Sequence, residues 1–419
     1  MACVKSKTNK FENLKKQTLF KTEERISKTN LLQDKSVKNV IAIKIPENQD
    51  EKFKYSEIIK EINLVPLETM PESLVASIDE LIIENNLIYI LDKTQKKIIC
   101  FHKNGKFNFS INSIGRGPKE YISISDLFVN NEKMFLLDSD QNKILIFSIK
   151  GEFIKEIIFD FPYPFQSLGV INDNYLIDFN NKVIPDLIPE LEYDLLTLND
   201  LGQVKSRNLK YNNDILRILP YTQSTSFFNY NATLSYISLL KNRVYRISNG
   251  FVEEKYFLDF GDNKVPQIEL ELFKNIDINT NKGRKEAQRK LRKIVGNYSL
   301  GPFNFLESES HISITFLKND KFVKGIYCKE TKEIKLDYQA IFDHELGLIL
   351  DYALPISVDE SDFYGVVYPN DILKVNRGFQ NSALESLYKR FPKYKGFTKM
   401  FEENENSNPY ISVIKFNEF

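Results

Sequence analysis

The sequence predicts an all-β chain in which six four-stranded units close into a ring. Three observations lead there: one unit occurs twice in unbroken register, strand-like runs continue from it to the C-terminus, and aromatic and β-branched residues are abundant.

The repeat is read by setting Ile78 to Phe107 above Ile124 to Phe153. Asp92 falls on Asp138, Gln95 on Gln141, Lys97-Ile98 on Lys143-Ile144, Phe101 on Phe147, Gly105 on Gly151 and Phe107 on Phe153. The offset, 138 minus 92, is 46 at every pair without a gap. Inside the unit, Leu81-Ile82-Ile83 reads as a buried strand and Asn85-Asn86 as a turn. Leu87 to Leu91 is a second strand, and Asp92 opens a polar loop by bonding nearby backbone. Ile98 to His102 is the third strand, Asn104-Gly105 a two-residue hairpin signal, and Phe107 to Ile111 the fourth strand. Four antiparallel strands in this length make one blade of a β-propeller. A lone blade exposes both sheet faces, so neighbours around a ring are needed to bury them.

Before the repeat, residues 1–36 are rich in Lys, Asn, Thr and Glu and read as a solvated N-terminal tether. The ring is expected over 37–419 as one domain. Val40 to Ile45 is a strand candidate, followed by a short apolar run from Ile62 to Leu67. After the repeat, Tyr175 to Asp178 and Leu201 to Val204 mark a third unit with an insertion at about 180–192. Tyr236 to Leu240, Arg243 to Ile247 and Asn249 to Val252 mark a fourth. Residues 267–296 break the β pattern, and the charged run Lys282 to Lys293 reads as an inserted helix with a solvated face. His311 to Phe316, Phe322 to Tyr327 and Glu333 to Leu336 form a fifth unit. Phe342 to Leu350 and Phe363 to Val367 begin a sixth. Residues 380–403 carry a helical, amphipathic pattern. Pro409 to Phe416 is a final strand, and the strand near Val40 is its expected partner in closing the ring.

Composition narrows the function classes. With 57 basic and 57 acidic residues among 419, the chain has no net field to draw nucleic acid or an anionic membrane. No stretch reaches the roughly 18 consecutive apolar residues of a membrane-spanning helix. Membrane contact is therefore expected only through an N-terminal lipid. Cys100 and Cys328 lie in apolar runs without metal-ligand spacing and read as buried small hydrophobes. Met1-Ala2-Cys3 reads like the end of a bacterial lipoprotein signal, with Ala2 the small residue and Cys3 the lipid site.

The segment between the two repeats, Gly115-Arg116-Gly117-Pro118-Lys119-Glu120-Tyr121, precedes Asp126-Leu127, Met134 to Asp138, Asn142-Lys143-Ile144 and Gly151-Glu152-Phe153. Together they resemble the NHL-type propeller repeat. More closely, the chain resembles the six-bladed β-propeller lipoproteins of Bacteroides-type bacteria. Pro66 to Thr69 and Asn408 to Ile411 add to that resemblance, which spans about 60–419 and is sharp over 60–160. It implies a six-bladed ring in the cell envelope, lipid-anchored on the periplasmic side or at the outer-membrane surface, against a cytoplasmic alternative.

Strand topology places the linker on the face that carries the Asp92–Lys96 and Asp138–Asn142 loops, around one mouth of the central channel. Gly115 and Gly117 permit a tight turn and Pro118 fixes its direction. Arg116, Lys119, Glu120 and Tyr121 are the candidate ligand contacts, against the reading in which the segment merely staples two blades. No helix pattern follows, so a phosphate loop is not supported. No catalytic constellation is expected: the three histidines, His102, His311 and His344, are scattered, and no Gly-x-Ser-x-Gly occurs. No metal site is expected either, and calcium at Asp92 and Asp138 is the one cofactor reading left open beside turn-capping. The expected function is a non-catalytic, monomeric propeller that binds a protein, peptide or glycan at the channel-mouth face. The alternative is a metal-dependent propeller hydrolase or lyase.

Overall fold

Each repeat folds as one antiparallel sheet because its apolar runs are separated by residues that tolerate left-handed backbone. Asn85 and Asn86, at φ 51° and 62°, make the two-residue turn, and Gly105 and Gly151, at 84° and 82°, occupy the hairpins. The structure, a computed structural model, describes residues 32–36, 39–47, 55–130, 132–159, 165–178, 193–210, 225–230, 233–238, 241–273, 276–277, 280–337, 355–369, 394–395 and 407–419.

The N-terminal segment contributes β1 (Gln33–Lys35), β2 (Ile41–Lys44), a helical turn α1 (Tyr55–Ile58) and β3 (Ile59–Pro66). Blade one is β4 (Glu80–Glu84), β5 (Leu87–Asp92), β6 (Lys97–His102) and β7 (Phe107–Ile111). Blade two is β8 (Asp126–Asn130), β9 (Lys133–Asp138), β10 (Lys143–Ser148) and β11 (Phe153–Ile158). Blade three is β12 (Ser167–Ile171), β13 (Asn174–Asp178), β14 (Tyr193–Leu198) and β15 (Val204–Lys210). Blade four is β16 (Phe227–Tyr230), β17 (Thr233–Ser238), β18 (Arg243–Ser248) and β19 (Phe251–Asp259). Two helices, α2 (Gln267–Glu271) and α3 (Asn281–Asn297), precede blade five: β20 (Ser299–Glu307), β21 (His311–Lys318), β22 (Lys321–Cys328) and β23 (Ile334–Leu336). Blade six joins β24 (Ser357–Val358) and β25 (Phe363–Val367) to β27 (Tyr410–Phe416) and β3, with β26 (Tyr394–Lys395) beyond.

The first strands of the blades, β4, β8, β12, β16, β20 and β24, contact one another in sequence, and β24 returns to β4. That cycle is the inner wall of a six-bladed propeller. The core lies between blades rather than inside any of them. One apolar cluster joins Tyr89 and Ile98 of blade one to Leu127 and Leu145 of blade two, and another joins Ile83 and Ile90 to Tyr364 and Ile411 of blade six. Second strands are therefore buried throughout, as Leu87–Asp92 is, while the outer Phe107–Ile111 alternates.

Ring closure differs from expectation. The last strand, β27, pairs antiparallel with β3, from Tyr410 against Pro66 to Phe416 against Ile59. The Val40 strand has another partner: Ile41–Lys44 runs parallel to Tyr256–Asp259 on the outer edge of blade four. Gln33–Lys35, read as tether, pairs in the same way with Phe251–Glu253, and Leu32 is buried against the blades. This arm docks because Ile43 and Ile45 fill the cluster shared by blades four and five, an apolar stripe too short to signal its partner.

The helix expected from the 282–293 run is α3. Thr280 caps it by accepting from the Gly283 N–H at 3.0 Å. Ala287, Leu291, Ile294 and Val295 bury one stripe against Leu300, Phe303 and Leu317, leaving its lysines and arginines on the other faces. The blade-five strand β20 lies ahead of the first strand read from the sequence. The helix expected over 380–403 falls outside the described residues except at Tyr394–Lys395, which form a short strand beside Ile62–Asn63. Residues 1–31, 180–192 and 342–350 also lie outside them.

Candidate functional site at the channel mouth

The linker packs where topology placed it, against the loops between second and third strands. Gln141 donates from its amide to the Gly115 and Glu120 carbonyls at 3.3 and 3.4 Å, and Lys143 donates to the Gly117 carbonyl at 3.4 Å. Its four candidate residues divide into two kinds. Tyr121 is fully buried, and its hydroxyl donates toward the Lys96 and Ile111 carbonyls at 2.8 and 3.1 Å while accepting from the Ser113 N–H at 3.3 Å. Burial pushes its phenol up to about 12. Tyr121 is thus a staple between blades and not a surface for ligand. Glu120 folds back over the turn and accepts from the Gly117 N–H at 2.7 Å. A Cβ on Gly115 would stand 2.0 Å from that carboxylate, so any larger residue there would displace the Glu120 side chain from the turn.

Arg116 and Lys119 are exposed. Arg116 carries no hydrogen bond or ion pair among the described residues. Lys119 takes a left-handed backbone, φ 67°, and sends its ammonium over the Phe153 ring at 5.3 Å. The Lys119 ammonium therefore stands toward β11, the outer strand of blade two.

Asp92 and Asp138 are clamps. The Asp92 carboxylate accepts from the N–H groups of Ala76, Ser77 and Gln95 at 2.7, 3.3 and 2.8 Å, and from the Gln95 amide at 2.7 Å. Asp138 repeats the arrangement on Ile122, Gln141 and the Gln141 amide, at 2.8, 3.1 and 2.8 Å. Burial raises the Asp92 carboxyl, but these donors outweigh it and hold the group below its usual value.

At the inner wall stands a pair that the sequence reading passed over. Glu80 and Asp126 head the inner strands of blades one and two, and both are buried. Each reaches the next inner strand: Glu80 accepts from the Leu127 N–H at 2.9 Å, and Asp126 from the Leu168 N–H at 2.6 Å. Ser167 continues the pattern by accepting from the Ser226 N–H at 3.1 Å. The remaining oxygens, Glu80 Oε1 and Asp126 Oδ1, have no hydrogen bond between fixed donors and acceptors, although Lys93 lies 3.1 Å from the former. Burial first, and then the Glu80 charge, raises Asp126 well above the ordinary carboxylate value; burial likewise raises Glu80, with Lys93 opposing. Two buried carboxyls that repel one another in this way are relieved when the pair keeps a proton. The signal was present in the sequence, since Glu80 and Asp126 occupy the same repeat position.

Cys100 and Cys328 are buried, as their apolar runs predict. His102 is exposed at the end of β6, while His311 is buried on blade five, its Nε2 donating to the Asn417 carbonyl at 2.9 Å. His344 lies outside the described residues. Among the described residues no group of three or more His, Cys, Asp or Glu side chains is arranged to hold a metal ion. Among them, no helix is long and apolar enough to cross a membrane.

Comparison with known proteins places this architecture. The family described as Domain of unknown function (DUF4934) matches residues 38–415. The chain belongs to that family. The DUF4934 fold is shared with a putative exported protein of Bacteroides fragilis NCTC 9343, at 17% identity, covering 91% of this chain and 100% of that one with a TM-score of 0.65. A member of the DUF4221 family from Bacteroides vulgatus ATCC 8482 follows at 10% identity, 86% and 97% coverage and a TM-score of 0.46. A streptogramin B lyase matches at 14% identity over 73% of this chain and 79% of its own, with a TM-score of 0.36. The last two are too distant to bear on what the DUF4934 chain does. No curated protein matches the sequence.

Proposed function

We propose that this protein is a non-catalytic propeller of the bacterial cell envelope, tethered through Cys3 as a lipoprotein, that binds an acidic protein or peptide segment across the linker face. One observation carries the reading. Arg116, exposed and unpartnered among the described residues, sits on a linker clamped on both sides of it: Glu120 on Gly117, Tyr121 on Lys96, Gln141 on Gly115. The backbone beneath Arg116 is fixed, and its free guanidinium presents a planar fork that matches a carboxylate. The NHL-like spacing of the repeat and the exported relative from Bacteroides fragilis support the envelope setting.

Peptide and glycan arrays probed with the purified chain and with an Arg116→Ala, Lys119→Ala variant test the binding reading. Retention of acidic peptides by the wild type, weakened at least tenfold in the variant, supports it. Undiminished binding by the variant, or turnover of a small substrate, overturns it. Radiolabelled palmitate incorporation into the native precursor, lost in Cys3→Ser, tests the anchor separately.

The metal-dependent hydrolase or lyase reading draws on the Glu80–Asp126 pair, whose raised, interacting carboxyls are suited to acid–base exchange. Elemental analysis of the purified protein separates the two. Stoichiometric calcium or zinc that is lost in Asp126→Asn would favour the enzyme.

A further inference from the structure

On the face opposite the linker, a cleft of about 790 Å³ opens between blades three and four. It falls within the span of small-ligand sites, about 300–1,000 Å³. Three segments that alternate with the linker side build it: the β12–β13 turn, the β14–β15 hairpin and the β18–β19 hairpin. The N-terminal arm closes one side at Leu32 and Gln33.

Its lining has one dominant chemistry. Asn172, Asn174, Asn199 and Asn249 supply planar amides, each both donor and acceptor, with Asp173, Asp200 and Lys205 among them. Part of this set is scaffold. Asn174 donates to the Ile171 and Asn172 carbonyls at 3.3 and 3.1 Å and accepts from Lys205 at 2.9 Å. The Asn199 carbonyl oxygen accepts from the Leu201 and Gln203 N–H groups at 3.0 and 2.9 Å. The Gly250 carbonyl accepts from the Gln33 N–H at 2.9 Å, tying the arm to the hairpin. The other part is unspent. The side chains of Asn172, Asp173 and Asn249 are exposed and make no hydrogen bond among the described residues. All three hold left-handed backbone, φ 48°, 56° and 49°, so their side chains project from fixed turns. At the rim, Phe251 remains 37% exposed, with the Lys35 ammonium over its ring at 5.2 Å.

We propose that this cleft binds a neutral oligosaccharide. Sugar hydroxyls are simultaneous donors and acceptors, which amides and carboxylates match in pairs, and the C–H face of a pyranose packs on an exposed aromatic ring. Charge selects against the other polar ligands. An anion meets Asp173 and Asp200, while Lys205 is engaged by Asn174 and Asp200 is paired with Lys155 at 3.4 Å. The fixed turns lower the ordering cost of recognition. The site is independent of Arg116 and the linker face, so either reading can fail alone.

Isothermal titration calorimetry of the full chain with neutral gluco-, manno- and galacto-oligosaccharides tests it. Asn249→Gly and Asp173→Gly delete the side chains while keeping positive φ, and Phe251→Ala removes the platform. Saturable binding of at least one oligosaccharide by the wild type, weakened tenfold or more in both glycine variants and unchanged in Arg116→Ala, is expected. Absence of saturable binding across the panel, or binding indifferent to the glycine variants, overturns the proposal. So does competition by an acidic or basic peptide with displacement of the sugar only through Arg116.

Discussion

Glu80 accepts a hydrogen bond from the Leu127 N–H at 2.9 Å, joining the inner strand of the first blade to that of the second. Asp126 repeats the reach to Leu168, so the inner wall is laced by the heads of its own strands. The raised carboxyls make the lacing pH-dependent. Both carboxyls lie above their ordinary values of 4.5 and 3.8, so above those values the folded state binds more protons than the unfolded chain. Stability from this pair is greatest at low pH and falls as pH rises through the folded values. We predict that Asp126→Asn, whose amide can donate to Glu80 while its oxygen still accepts from Leu168, flattens that decline. Thermal melts from about pH 5 to about pH 8 should show the variant matching or exceeding the wild type at the upper end. A steeper decline in the variant would refute that sign.

Asp92 has the opposite sign. Its carboxyl is held below 3.8, so its contribution is present above that value and is lost as pH falls through the folded value. Asp92→Ala would strand the N–H groups of Ala76, Ser77 and Gln95. The expected loss is about 1–3 kcal/mol in urea denaturation at neutral pH, because the stranded donors are only partly buried. A loss below about 0.5 kcal/mol, the usual scale of surface substitutions, would mean that water replaces the clamp.

Gly105 and Gly250 make a controlled pair. Both have positive φ, 84° and 80°, but a Cβ on Gly105 would lie 2.0 Å from the Pro66 carbonyl oxygen, whereas one on Gly250 would meet nothing within 4 Å. Gly250→Ala should cost only the conformational strain, about 1–2 kcal/mol. Gly105→Ala should cost more, because it also pushes the first blade away from β3, the strand that closes the ring. Equal midpoint shifts would show that the closure tolerates displacement.

Tyr121→Phe keeps the packed ring and deletes the hydroxyl that holds the Lys96 and Ile111 carbonyls. A loss of about 1–2 kcal/mol is expected. Ligand binding at the linker face should survive it, since Tyr121 is buried. If binding falls while stability is unchanged, the residue touches ligand after all.

The arm offers a test of packing. Ile43→Ala empties a fully buried position between blades four and five and should cost about 2–5 kcal/mol. Exposed Ile41 on the same strand should be nearly neutral when changed to Thr, within about 0.5 kcal/mol. Both are read from chemical denaturation midpoints.

The sequence alone determined the blade. Residues in register at Asp92 and Asp138, turns at Asn85-Asn86 and hairpins at Gly105 and Gly151 are local facts, governed by backbone conformation and a two-residue side-chain period. The charged helix α3 was legible for the same reason, because its apolar stripe and cap lie within one segment. Tertiary structure decided the rest. Whether β27 pairs with the Val40 strand or with Ile59–Pro66 depends on which edge the returning chain meets, and both segments carry similar apolar patterns. The fate of each linker residue was likewise hidden: Tyr121 became a staple and Arg116 a surface cation only through neighbours far away in sequence. Glu80 and Asp126 stood at equivalent repeat positions in plain view, but their raised carboxyls arise from burial and from the approach of two inner strands. Distance and desolvation, not residue type, made them a pair.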